Sequence, residues 1–212
     1  MPTTRLAPAS AAEPPRDCPL CPRLVAYRAT NHAAHPDWWN GPAPSFGDPA
    51  ARLLVVGLAP GRTGANRTGR PFTGDFAGVL LYETLIKAGF ARGRYDARPD
   101  DGLQLVDCMI TNAVRCAPPG NKPETVEEAT CRPFLTARIA ALPRLKVIVT
   151  LGDVARRNVL RALGLKASAG VAGHGSRMEA AGFTLLNSYH CSRLTPAMFE
   201  AVFETAKAIL AD

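Results

Sequence analysis

A chain of 212 residues with 47% hydrophobic content is long enough to bury one sizeable core and short enough that a second domain is not expected. No window approaches the roughly 18 consecutive apolar residues of a membrane span, and the opening MPTTRLAPASAAEPPRD lacks the apolar centre of a secretory signal. A cytoplasmic protein with no membrane partner is therefore expected, and its formal charge of +7 permits a polyanionic partner without requiring one.

In chain order, residues 1–15 are rich in proline and alanine and are expected to form a disordered tail ahead of a single domain over 16–212. After CPLC, the segment RLVAYRAT suits a helix, and HPDWWNGPAPSFGDP is a proline-broken loop carrying both tryptophans. ARLLVVGL predicts a buried strand, and FAGVLLYETLIKAGF a helix with Leu81, Leu85 and Ala88 on one side and Tyr82 and Ile86 beside them. MITNAVRC reads as a second strand, PETVEEATCRPFLTARIAAL as a helix entered through Pro123, and LKVIVTLG as a third strand. DVARRNVLRALG is helical, FTLLNSYH is a fourth strand, and PAMFEAVFETAKAIL closes the chain as an amphipathic helix. This alternation predicts an α/β fold: a three-layer αβα sandwich around a central, mainly parallel four-stranded sheet, with its ligand crevice at the carboxyl ends of the strands.

The loop after the first strand, GLAPGRTGANRTGRPFTGD, holds five glycines, three arginines and a single acid, Asp75. Phosphate binding is the obvious reading of such a strand-to-helix turn, yet it has neither the lysine of a phosphate loop nor the G-x-G triplet of a dinucleotide site. The other chemistry-bearing residues also fall just past strands: Asn112 near the end of the second, His190 after the fourth. Asp75 stands where a helix N-cap belongs, and by analogy with glycoside hydrolysis a carboxylate there suits orienting a water beside a sugar.

The six cysteines divide by spacing. Cys18 and Cys21 form a C-x-x-C pair, Cys116 and Cys131 lie far downstream with fourteen residues between them, and Cys108 and Cys191 stand alone. A reducing compartment argues against disulfides. The first four suit a four-thiolate site for zinc or for an iron–sulfur cluster, and the last two suit small buried apolar groups.

Taken in order, GLAPGRTGANRTGRPFTGD, TNAVRCAPPGNKP and SYHCS, together with CPLC and Cys116/Cys131, closely resemble the bacterial and archaeal uracil-DNA glycosylases that carry a [4Fe–4S] cluster, and the long first motif points to their type-b, or family 5, branch. The resemblance spans residues 18–210 and implies a monofunctional DNA-repair glycosylase that releases uracil, and by extension hypoxanthine and other deaminated bases, leaving an abasic site. The implied partner is double-stranded DNA, with single-stranded DNA also open, and the enzyme is expected to act as a monomer. Catalytic roles fall to Asp75 and His190. Gly57, Leu58, Ala59, Phe72 and Asn112 would form the base pocket, with Phe72 as the aromatic platform and Asn112 as the reader of the imide edge. Cys18, Cys21, Cys116 and Cys131 would hold the [4Fe–4S] cluster as a structural staple, and Arg62, Arg67, Arg70, Ser192 and Arg193 would meet the DNA backbone.

One stretch departs from that pattern. The family continues after the histidine as H-x-S-x-x-N with a loop that helps wedge the duplex, whereas HCSRLTPAMF here passes from Ser192 almost directly into the last helix. A shortened wedge puts extrusion from intact duplex in question more than the chemistry at the base. Two rivals are a non-catalytic iron–sulfur DNA-binding module, which gives no reason for Asn112 and His190 to end strands, and an enzyme acting on a free nucleotide, which the missing phosphate-loop lysine disfavours.

Overall fold

All four apolar runs form strands buried at every position except Phe183, because each is covered on both faces by helices. The computed structural model describes residues 12–191 and 194–211. Its elements are α1 (Pro22–Ala34), β1 (Phe46–Gly47), β2 (Leu53–Gly57), α2 (Ala65–Thr68), α3 (Phe76–Ala88), β3 (Ala91–Arg92), β4 (Gln104–Leu105), β5 (Cys108–Asn112), α4 (Thr125–Ala140), β6 (Val147–Leu151), α5 (Asp153–Ala162), β7 (Arg177–Ala180), β8 (Phe183–Ser188) and α6 (Pro196–Ala211).

Successive strand residues point to opposite faces, and β2 shows the result. Leu53 and Val55 join Leu81, Leu85, Phe199 and Phe203 in a core beneath α3 and α6. Leu54 and Val56 join Leu135, Ile139, Ala155 and Val159 beneath α4 and α5. Each such side chain, fully withdrawn from water, contributes about 1.5–3 kcal/mol. Three layers result, as the alternation of elements predicts.

The sheet order is β1-β5-β2-β6-β8-β7, six strands rather than the four expected. The inner four are parallel. The additional β1 and β7 pair antiparallel at the two edges. Neither carries a long apolar run, since an edge strand is paired on one side only and β7 (Arg-Met-Glu-Ala) is largely solvent-facing. From β2 the chain runs to β5 on one side and then crosses to β6 on the other, so the direction of winding reverses around β2 and opens a crevice at the carboxyl ends.

The tail needs a corrected boundary. Residues 1–11 lie outside the described residues, but residues 12–15 are not loose: Ala12 is fully buried, and Arg115 donates to its carbonyl at 3.0 Å. Glu13 bridges Arg115 at 3.1 Å and Arg138 at 2.6 Å. Two arginines withdrawn from water need a carboxylate, and it comes from this segment. Among the described residues no helix is long and apolar enough to cross a membrane.

Candidate active site

Parallel register brings the ends of the inner strands level. Gly57 pairs with Asn112 across β2 and β5, and Leu151 with Ser188 across β6 and β8. Above these ends opens a cleft of about 1000 Å³, lined among others by Leu58, Ala59, Arg62, Phe72, Asp75, Asn112 and His190. The expected platform, reader, imidazole and carboxylate thus come from three remote segments, the loop before α3, the end of β5 and the turn after β8, and share one cavity.

Phe72 and Asn112 meet over a missing side chain. A Cβ on Gly57 would stand 2.5 Å from both Asn112 Oδ1 and Phe72 Cζ, so only glycine lets the ring and the amide approach this end of β2. Phe72 is buried and held at φ 53°, a left-handed conformation that costs an ordinary residue about 1–2 kcal/mol. Its ring centroid lies 6.3 Å from that of His190, with 30° between the planes. Asn112 Oδ1 is buried without a hydrogen-bond partner among the described residues. An orphaned acceptor costs free energy, and here it belongs to a side chain that lines the cleft.

Asp75 does cap α3: its Oδ1 accepts from Gly78 N at 3.0 Å. The second oxygen lies over the glycine loop, 3.2 Å from where a Cβ on Gly61 would stand and 2.4 Å from the same point on Gly64. One carboxylate oxygen is thereby fixed by the helix while the other lies over the glycine loop, in a side chain that lines the cleft.

The arginines part company. Arg62 and Arg67 are exposed. Arg62 is held by Asn31 at 2.8 Å and by His35 at 3.1 Å, with its guanidinium 5.4 Å from the Trp38 ring centroid. Arg70, expected on the DNA backbone, is instead buried, and both Nη atoms donate to Asp101 at 2.8 and 2.7 Å. A guanidinium already paired fork to fork under aromatic rings is not offered to a phosphate. Ser192 and Arg193 lie outside the described residues. Beyond them, Leu194 packs against the α3/α6 core, and α6 begins at Pro196.

Of the cleft residues that escape the sequence reading, three carry an aromatic ring or an amide. Phe76, at the first position of α3, is 76% exposed, and Tyr189, whose ring lies 5.7 Å from that of His174, is 53% exposed, so two aromatic rings are open to solvent at the rim. Asn121, at φ 56°, adds an amide from the turn after Cys116. PGN in sequence signals only a turn, and Phe76 reads as one more apolar helix residue.

Away from the cleft, Cys18, Cys21, Cys116 and Cys131 line one small apolar pocket with Leu24, Val114 and Phe134. Cys21 is the N-cap residue of α1, followed by Pro22 at the first helical position. Arg115 N donates to Cys131 Sγ at 3.3 Å, and Arg28 Nη1 to Cys116 Sγ at 3.9 Å. Burial, reinforced by the neighbouring thiols, pushes Cys116 up to about 12 and Cys131 up to about 11. Four thiolates there need a cationic partner. No group of three or more His, Cys, Asp or Glu side chains among the described residues is arranged to hold a metal ion.

Comparison with known proteins agrees with this architecture. A family model described as the uracil DNA glycosylase superfamily matches residues 44–211. A type-5 uracil-DNA glycosylase of Thermus thermophilus is 43% identical, the match covering 91% of this chain and 93% of the relative. One from Mycobacterium leprae is 42% identical over 91% of each chain, and one from Pyrobaculum aerophilum is 39% identical over 92% of this chain and 86% of its own. Gathered strand-end residues, a doubly wound sheet and these relatives agree: the chain belongs to the uracil DNA glycosylase superfamily.

Proposed function

We propose that this protein is a monofunctional DNA-repair glycosylase that hydrolyses the N-glycosidic bond of uracil in double-stranded DNA and leaves an abasic site. The observation that carries the reading is the orphaned amide oxygen of Asn112 beside Phe72 in a cleft shared with His190 and Asp75. A base inside a duplex is out of reach, so the target nucleotide must be extruded first. The flipped uracil then stacks on the face of Phe72. Asn112 Oδ1 accepts from the N3–H and its amide nitrogen donates to O4, which gives the orphaned atom the partner it lacks.

As the glycosidic bond breaks, negative charge grows on the leaving base. His190 donates to the O2 carbonyl, an interaction stronger in the transition state than in the ground state. On the sugar side the oxygen of Asp75 not used in capping orients the attacking water and stabilises the oxocarbenium-like centre. Arg62 and Arg67 meet phosphates, and the exposed rings of Phe76 and Tyr189 suit contact with the unstacked duplex where the loop after Ser192 is short. Ala59 leaves the wall without a polar group, which supports a wider range including hypoxanthine.

The cysteine pocket fits a [4Fe–4S] cluster. Such a cluster takes one thiolate at each iron and tolerates ligands spread wider than a single ion's shell. Backbone and guanidinium N–H groups already aimed at two sulfurs are the donors that a thiolate-bound cluster uses. When bound it supplies a redox-inert fastening of the 18–21 turn to α4 and to the extension of β5.

The test is a nicking assay. Purified protein is incubated with duplexes containing uracil, hypoxanthine or xanthine, then treated with alkali. Strand scission at uracil is expected. A gel shift without scission would replace the enzyme with a binding module, and turnover of deoxyuridine monophosphate would redirect it to free nucleotides.

A further inference from the structure

Phe72 does not hold its left-handed conformation alone. Its carbonyl accepts from Tyr95 Oη at 3.1 Å and points into the first turn of α3, 1.8 Å from where a Cβ on Gly78 would stand. One residue earlier, the Pro71 carbonyl accepts from Tyr82 Oη at 2.6 Å. Arg70 Nε donates to Thr73 Oγ1 at 2.7 Å, so both sides of Phe72 are tied. The guanidinium that makes this tie is locked in turn by the paired bonds to Asp101. It also lies 5.3 Å from the Tyr82 ring centroid and 5.7 Å from that of Tyr95, two rings stacked 4.6 Å apart. Asp101 accepts further from the backbone of Asp96 at 3.0 Å and of Leu103 at 3.1 Å. Arg70 holds the Asp101 carboxyl far below the ordinary carboxylate range, so it remains charged whenever the enzyme works.

We propose that Arg70, Asp101 and Tyr95 form a positioning bracket that fixes the Phe72 backbone, and through it the orientation of the aromatic platform, without touching the substrate. The proposal rests on the glycosylase reading. A buried ion pair is a poor route to stability alone, yet it suits holding a ring within the few tenths of an ångström that a stacked, near-reactive geometry demands. Polar groups of Arg70, Tyr82 and Tyr95 converge on residues 71–73 beneath the cleft floor. Loosening the bracket lets Phe72 relax toward negative φ and turns its ring out of the slot, which slows base release while leaving phosphate contacts intact.

The experiment uses the full chain with Tyr95→Phe, which removes one hydroxyl and keeps the ring, and Asp101→Asn, which removes the charge and keeps the shape. Each is also made in a Phe72→Leu background. Single-turnover release of uracil is read beside the Kd for an abasic-site duplex and the Tm. Each variant is expected to slow release about tenfold with abasic-site Kd changed less than about twofold, and the slowing is expected to vanish once the platform ring is gone. An unchanged rate with Phe72 present, or an equal slowing without its ring, overturns the bracket. Should Asp101→Asn fail to fold, Tyr95→Phe decides alone. Wild-type protein that releases no uracil removes the glycosylase reading itself, whereas active wild type with unaffected variants removes only the bracket.

Discussion

Asp75 Oδ2 lies 2.4 Å from the point where a Cβ on Gly64 would stand, so this carboxylate fills space that glycine alone leaves open. Gly64 has φ −90° and ψ −114°, outside the regions open to residues with a Cβ, so backbone and carboxylate both call for glycine here. Gly64→Ala is expected to push Oδ2 aside while the Oδ1 cap on Gly78 survives, slowing single-turnover excision about tenfold and lowering the Tm. Asp75→Asn keeps the capping oxygen and loses the charge, and a fall of about a hundredfold is expected. A normal rate for Asp75→Asn would remove the carboxylate from the chemistry and leave it as a cap.

Asn112 sets stability against function. Its buried oxygen lacks a partner, so Asn112→Ala abolishes an uncompensated desolvation at the cost of a little packing. The variant is expected to melt no lower than wild type while losing about a hundredfold in uracil release. Thermal unfolding and the nicking assay check the two halves, and a clearly lower Tm would mean that the amide is already bonded in the free protein.

How much of this was legible beforehand depends on the range of the cause. β2, β5, β6 and β8 announce themselves because burial on both faces leaves an unbroken apolar run; Asn112 and His190 sit where two of those runs stop, and Phe72 and Asp75 lie at the far end of the glycine loop that follows a third. β1 and β7 are short, and their pairing is a property of their neighbours. Arg70 shows the limit most clearly. Beside Arg62 and Arg67 in a glycine-rich loop it looks like one more phosphate contact, and its actual partner, Asp101, lies 31 residues away among charged loop residues. Phe76 was hidden differently, since apolar periodicity does not say which helix residue stands clear of the core.

That division of the arginines is measurable through salt. Arg67→Ala is expected to lower the slope of log affinity for duplex DNA against log salt by about one, the loss of a single phosphate contact. Arg70→Ala should leave the slope unchanged and lower the Tm instead, because Asp101 is then buried unpaired. Equal slope changes in the two variants would return Arg70 to the DNA surface.

Glu13 makes the fold sensitive to acid. Burial alone would raise its carboxyl, but Arg115 and hydrogen bonds from Ser45 and Arg138 outweigh that and hold it below the ordinary 4.5. A carboxyl depressed in the folded state contributes stability above its unfolded pKa and loses it as pH falls through the folded value. Tm is therefore expected to drop steeply below about pH 4.5 in wild type. Glu13→Gln should flatten that drop and cost about 3 kcal/mol at neutral pH, since it leaves Arg115 buried without its counter-charge.

The cysteine pocket yields to analysis of metal content. Protein purified without air is expected to be brown, absorbing at about 400 nm with about four irons per chain, and Cys116→Ser should lose both colour and iron. Cys108→Ser should keep them, since that thiol is buried in β5. A colourless chain carrying one zinc would overturn the cluster.

Gly57, Gly64 and Gly78 have one thing in common: the place of each absent methyl is already taken by an atom of Phe72, Asn112, Asp75 or Tyr95. The recess is therefore moulded by omission, and enlarging any of these three positions dislodges a working group. Adaptation toward other lesions has a softer wall at Leu58, where a half-buried side chain lines the opening and a change of shape need not unseat the rest; Ala59 beside it is packed against the core of Leu24, Val114 and Cys131.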